Sequence, residues 1–299
     1  MKIYDCLIYF NEDLLLDLRF NYLNKFVDKF VIVESTFTHS GQKRKLLFDI
    51  NKFAKFKDKI IYLVLDKEPD NLFKVNYSTD NDHEVNSKLM LNGFHREHLQ
   101  RNYITKGLID VDEEDMIIIS DADEIPDLNN VNFNLIKNKL IFFNQNYYFY
   151  KLNLKLDNYI WCGSKACKKK FLKSPQWLRS VKDKIYPVWR IDILFHKKKY
   201  NDIFKVVNGG WHFSKLNTPE GIENIMQSYS HFREYQLNPI GAEQIKKIIK
   251  EKKAIYNLNV DKTKNKFDFS HKLVVSDIAE LPNVIKDNFN LYKDWIEKE

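Results

Sequence analysis

The chain has 299 residues, 48 basic and 41 acidic side chains, a net charge of +7 and 44% apolar content. A chain of this length buries enough core to fold without disulfides or a structural metal, and its three scattered cysteines, Cys6, Cys162 and Cys167, form no CxxC. Scarce Gly and Pro argue against long linkers, and no run approaches the 18 apolar residues of a membrane-spanning helix.

"KIYDCLIYF" (Lys2–Phe10) is β-branched and aromatic and predicts a buried strand. A helix follows, with Leu14, Leu15, Leu18, Tyr22 and Phe26 at helical spacing and Asn11 or Asp13 as its cap. With Asp5 and acids from Glu12 onward, the opening apolar run is short and interrupted, and no signal peptide is expected. A soluble protein of a reducing compartment, the cytoplasm, is expected. "KFVIVEST" (Lys29–Thr36) and "DKIIYLVLD" (Asp58–Asp66) predict the next two strands. A helical pattern between Glu84 and Leu108 places Leu91, His95, Leu99, Ile104 and Leu108 roughly on one side. "DMIIISD" is a fourth strand. This alternation defines an α/β fold with a largely parallel sheet, in which ligands bind beyond the carboxyl ends of the strands.

That position is occupied by "DADEIP" (Asp121–Pro126). Carboxylates at i and i+2 of an extended turn can aim at one point. Mg²⁺ or Mn²⁺ takes such oxygens and shares them with substrate phosphates. A solvated turn is the plain alternative. Arg96 and Arg101, on the preceding helix, read as surface ion pairs or as diphosphate contacts. Glu34 and Ser35 end the second strand, where a nucleoside could be read.

Beyond Pro126 the strands "LIFFNQNYYFYKLNL" (Leu140–Leu154), "YPVWRIDILFH" and "DIFKVVNGGWHFS" predict mixed or antiparallel pairing. "WCGSKACKKKFLKSPQWLR" (Trp161–Arg179) mixes aromatic and basic residues and suits a carbohydrate. In "NGGWHFS", Trp211 offers a stacking face and His212 a metal ligand that with carboxylates would suit Mn²⁺. From Thr218, a cap followed by Pro219, the chain turns helical. His231 and Glu234 lie three apart on one helix face. The runs "CKKKFLK", "HKKKY" and "IKKIIKEKK" supply the basic excess. Each reads as solvated surface or as an anion-attracting patch. No nucleic-acid signature accompanies them.

The segments "YDCLIYFNEDLLLDLR", "VIVEST", "IIISDADEIP", "GSKA", "SPQWLR", "GGWHFS" and "SYSHFRE" occur in that order, with a weaker echo in "LPNVIKDNF". Together they make a sequence that resembles glycosyltransferase family 17, the β-1,4-mannosyl-glycoprotein β-1,4-N-acetylglucosaminyltransferase group. The resemblance implies a GT-A-like fold, a UDP-sugar donor (UDP-GlcNAc), a divalent cation and inversion at the anomeric carbon. It implies one domain over 1–299, with a nucleotide-sugar-binding half at 1–127, an acceptor-side half at 128–217 and a helical region at 218–299. Asp123 is then the expected metal ligand, with His212 and Asp121 beside it. Asp121 could instead hold the ribose or a metal-bound water. Glu34, Ser35, Arg96, Arg101, Asp121 and Trp211 are expected at the donor. Glu234, Asp192 and Glu124 are candidates to deprotonate the acceptor. The chain departs from the animal members in lacking an anchor and stem, which favours a bacterial or viral surface glycan or lipid-linked acceptor and leaves peripheral membrane contact open. Two rival readings are a sugar-binding protein on a degenerate transferase fold and a metal-dependent phosphotransferase or phosphodiesterase.

Overall fold

The computed structural model describes residues 1–184, 186, 187, 189, 196–258, 267 and 269–298. Its strands are β1 (Ile3–Tyr9), β2 (Lys29–Ser35), β3 (Ile60–Leu65), β4 (Met116–Asp121), β5 (Glu124–Pro126), β6 (Leu140–Phe149), β7 (Leu154–Lys168), β8 (Ile203–Val206), β9 (Gly210–Ser214) and β10 (Val274–Val275). The helices are α1 (Asp13–Leu23), α2 (Asp82–Tyr103), α3 (Pro175–Ser180), α4 (Pro219–Ser228), α5 (Phe232–Leu237), α6 (Ala242–Lys250), α7 (Asn283–Asp287) and α8 (Phe289–Tyr292).

One sheet holds all ten strands, in the main order β3-β2-β1-β4-β7-β6-β9-β5, with β10 on β7 and β8 on β6. The first four strands are parallel. β7 then reverses direction against β4, and β6 against β7. β9 runs parallel to β6, and β5 pairs antiparallel with β9. A parallel half that carries the acidic turn, joined to an antiparallel half, is a mixed α/β, GT-A-like arrangement.

β1, β2 and β4 are buried on both faces, as their largely apolar runs require, while the edge strand β3 is half-buried. On β1 and β4, Leu7 and Ile118 face the α1 side with Leu16, Leu18 and Phe20. Cys6, Ile117 and Ile119 face the other side with Ile104, Leu108 and Leu178. A third cluster joins β6 to α4 and α6 through Phe149, Ile222, Met226, Ile245 and Ile248.

Several boundaries differ from the sequence expectation. Residue Glu12, rather than Asn11 or Asp13, stands at the start of α1, and no side chain caps it. Asp13 is instead engaged by Tyr9 and Lys52. α2 is capped by an Asn81–Glu84 capping box and ends at Tyr103, with a 3₁₀ turn over Ile104–Leu108. Its buried positions include Asn92, Gln100 and Arg101, while Leu91 is exposed. Gln100 and Arg101 turn inward because they border the cavity described below, and Asn92 because its amide exchanges two hydrogen bonds with the Phe73 backbone. β6 stops at Phe149, where Tyr150 turns the chain at φ +61°. Trp161–Lys168 continues a long strand, β7. Thr218 caps α4 through Gly221 N, with Pro219 in the first turn, as the sequence predicts. Most of the predicted strand "YPVWRIDILFH" lies outside the described residues.

Candidate active site

β1 and β4 end side by side at the carboxyl edge of the parallel half. A cavity of about 230 Å³ opens there, lined by Tyr9, Phe10, Glu12, Thr38, His39, Arg44, Glu97, Gln100, Arg101, Asp121, Asp123 and Tyr229, among others. A second, of about 210 Å³, adjoins it and is lined by Asn11, Glu12, Asp13, Asp123, Lys215, Asn217 and Trp295, among others. Glu12, Asp123 and Ile225 border both.

The acidic turn is fixed from beneath by a buried ion pair. Arg19 on α1 is fully buried and holds both oxygens of Asp5 at 2.6 Å. Its remaining nitrogen donates to the carbonyl of Glu124 at 2.5 Å. A charge in an apolar interior needs such complete pairing. The turn is fixed from the side by β9. Register sets Glu124 opposite His212, and Phe213 N donates to the Asp123 carbonyl at 2.8 Å. Gly210 permits this approach: its φ is +123°, and an added Cβ would lie 2.1 Å from the Ile125 carbonyl oxygen.

Two arginines then divide the carboxylates. Arg101 on α2 binds Asp121 Oδ1 at 2.8 Å, and Arg179 on α3 binds Asp121 Oδ2 at 2.7 Å. Arg101 also pairs with Glu97 at 2.8 Å. Arg179 reaches Glu124 at 2.8 Å. Glu124 is wholly buried and further receives Trp161 Nε1 at 2.7 Å and the Asp121 N–H at 3.0 Å. Burial opposes the ionisation of Asp121, but Arg179 and Arg101 outweigh it and hold its carboxyl well below the usual range. Burial also opposes ionisation of Glu97, which Arg101 and His39 bring down to about 2. Lys165, buried in β7, donates to the carbonyls of Arg179 and Val181 and so anchors the end of α3.

Asp123 lies outside this guanidinium lock. Its side-chain partner is His212, with Oδ2 and Nε2 3.1 Å apart. Burial lowers the affinity of His212 for a proton, but Asp123 more than restores it. His212 Nδ1 is buried without a partner among the described residues, as is Arg101 Nε at the cavity wall. Such atoms are rare in folded proteins and call for an explanation. Glu12 Oε2 accepts from the N–H groups of Phe10 and Asn11, and Glu12 forms no ion pair among the described residues. Burial pushes its carboxyl up to about 7. Lys215, held at φ +57°, stands over the rings of Tyr229 and Tyr256. Burial brings it down to about 8.

The structure thus gathers Asp121, Asp123, Glu124, Arg101 and His212. The other predicted residues sit elsewhere. Glu34 is buried and accepts from Leu47 N, Phe48 N, Tyr62 and Arg44, which pins the segment after β2. Ser35 accepts from Phe37 N within the same turn. Arg96 pairs with Glu68 at 2.7 Å. Trp211 faces away from His212, as strand alternation demands, and packs on Tyr22 while donating to the Glu280 carbonyl. Glu234 pairs with His231 at 3.0 Å and borders neither cavity. Asp192 lies outside the described residues. Arg19, Arg179, Glu12 and Lys215 received no role from the sequence. A signal existed for the first: Arg19 lies four residues after Leu15, on the apolar face of α1, and Asp5 interrupts an apolar strand.

A divalent cation is implied by the resemblance, and its donors can be tested against this geometry. Both oxygens of Asp121 are taken by arginines. Asp123 offers an oxygen at the wall of both cavities, and the buried His212 behind it a nitrogen, a pair that suits a cation drawing other ligands from a diphosphate. Among the described residues no group of three or more His, Cys, Asp or Glu is placed to hold a metal by itself.

A mixed α/β fold with an acidic turn at the parallel-strand edge fits the class of glycosyltransferases. Residues 1–294 match the family described as glycosyltransferase family 17, and the chain belongs to that family. Membership implies a nucleotide-sugar donor and a glycan acceptor. No curated protein matches the chain. Among the described residues no helix is long and apolar enough to cross a membrane.

Proposed function

We propose that the chain transfers N-acetylglucosamine from UDP-GlcNAc to a hydroxyl of a glycan, with inversion and with the help of Mn²⁺ or Mg²⁺. The observation that carries this reading is the unequal treatment of the acidic turn. Asp121 and Glu124 are neutralised by arginines, whereas Asp123 faces two joined cavities and has His212 as its side-chain hydrogen-bond partner. A nucleoside diphosphate fits the first cavity, with Thr38, His39 and Gln100 along its wall. The acceptor enters from the second. Asp123 and His212 would hold the cation, which when bound neutralises charge on the departing diphosphate.

An inverting displacement also needs a carboxylate for the acceptor proton. Glu124 is committed to Arg179, Trp161 and a backbone N–H. Glu12 borders both cavities and has no cation partner among the described residues. We therefore assign the proton transfer to Glu12, a residue outside the sequence candidates.

Calorimetry with UDP tests the reading. Binding should strengthen with Mn²⁺, and Asp123→Ala should abolish that gain. Release of UDP from UDP-GlcNAc should then require an acceptor glycan. Equal UDP affinity with chelator and with Mn²⁺ would remove the cation from the proposal.

A further inference from the structure

The two basic runs "CKKKFLK" and "HKKKY" play no part in the site, yet the fold brings them together. Trp177 Nε1 donates to the Lys197 carbonyl at 2.8 Å, and Lys182 N to the Lys198 carbonyl at 2.9 Å. Lys173 donates to Tyr200 Oη at 2.7 Å and stands over the rings of Trp177 and Tyr200. Lys139 and Lys170 stand over Phe171. Between them runs a groove of about 510 Å³.

The charge balance of this face is uneven. Glu114 takes Lys168 and Lys170, Glu113 takes Lys169, Asp183 takes Lys205, and Asp202 at the groove wall accepts from Asn138. Lys139, Lys173, Lys182, Lys184, Lys197 and Lys198 are exposed and form no ion pair among the described residues. One phosphate would be served by two or three converging cations. Six spread over a face, interleaved with Trp and Tyr, match an extended anionic plane whose boundary region favours amphipathic rings.

We propose that this face docks the protein on an anionic lipid bilayer. The proposal stands apart from the assigned reaction and concerns where it takes place. It commits to a membrane because the unpaired lysines spread over a surface instead of converging on one point, with the half-buried rings of Trp177 and Tyr200 between them.

Flotation of the full chain with vesicles tests it. Phosphatidylcholine vesicles containing about a third phosphatidylserine should carry the protein at low salt, and pure phosphatidylcholine should not. Binding should fall steeply as salt rises. A triple Lys182→Gln, Lys197→Gln, Lys198→Gln variant should lose roughly 100-fold in partitioning, at about fivefold per lysine. A matched Lys246→Gln, Lys247→Gln, Lys250→Gln variant on α6 should lose far less. Equal losses in the two triple variants would overturn the assignment of the face. So would capture by heparin without capture by vesicles, or wild-type binding that ignores phosphatidylserine.

Discussion

Asp121 and Asp123 are two residues apart, yet the fold treats them in opposite ways. Asp121 is gripped by two guanidinium groups that come from helices on one face of the sheet. Asp123 meets a single imidazole from β9, and its nearer surroundings are Glu12 and Lys215, both pushed toward neutrality by burial. The first residue belongs to a rigid electrostatic lock. The second belongs to a half-open wall whose charges can change. Alternation along an extended turn sends the carboxylates of i and i+2 in one general direction, so sequence spacing alone cannot separate them. Separation comes from what lies opposite: α2 and α3 for one, β9 for the other.

The largest effect should come from breaking the lock. Arg179→Ala leaves Glu124 buried without its cation, and loss of one partner of such a pair costs about 3 kcal/mol. Urea unfolding should register it as a lower midpoint with an unchanged slope. If stability instead stays within about 0.5 kcal/mol, the lock does not exist in solution. Asp123→Ala probes the open side. Turnover should fall by at least about 100-fold, the scale of a lost catalytic contact, while the unfolding midpoint stays near wild type. A large stability loss there would erase the distinction.

Glu12→Gln sharpens the comparison through pH. The folded carboxyl titrates near 7, above its unfolded value. The folded state therefore holds a proton that the unfolded state has released. The stability from Glu12 is complete below about pH 4.5 and is lost as pH rises through 7. The Gln variant should flatten that part of the stability profile. It should also remove the rise in rate expected as Glu12 deprotonates. The smallest effect belongs to Lys215→Met. Lys215 titrates near 8, below its ordinary value, so in the wild type its contribution grows as pH rises from 8 toward 10. The variant should be slightly more stable than wild type at pH 7, and the gap should close by pH 10.

Much of the frame was legible in the sequence. Apolar runs located all four parallel strands, because a strand packed between helices has few polar positions, Asp5 in β1 being an exception that Arg19 accounts for. The acidic turn was placed correctly at their carboxyl edge. What escaped was long-range. Gln100 and Arg101 look like the wet side of α2 until the cavity is known to lie under them, and Asn92 until the Phe73 backbone is seen to bond it. Trp211 and His212 are neighbours in a promising motif, but only pairing shows that they face opposite ways. Glu34 ends its strand at the right edge, yet its four donors come from residues 44 to 62, which no local pattern could assign.

β4 and β5 are separated by only Ala122 and Asp123, but in the sheet they are separated by β7, β6 and β9. The sheet must curl back on itself for that short link to span the gap. β5 finds its partner in β9, about ninety residues further along the chain. A nascent chain that has released its first 127 residues therefore carries the acidic turn without the strand that orients it. His212 has to leave the ribosome before Asp123 acquires its partner. The acidic turn therefore gains its partner strand only after about seven-tenths of the chain has been made.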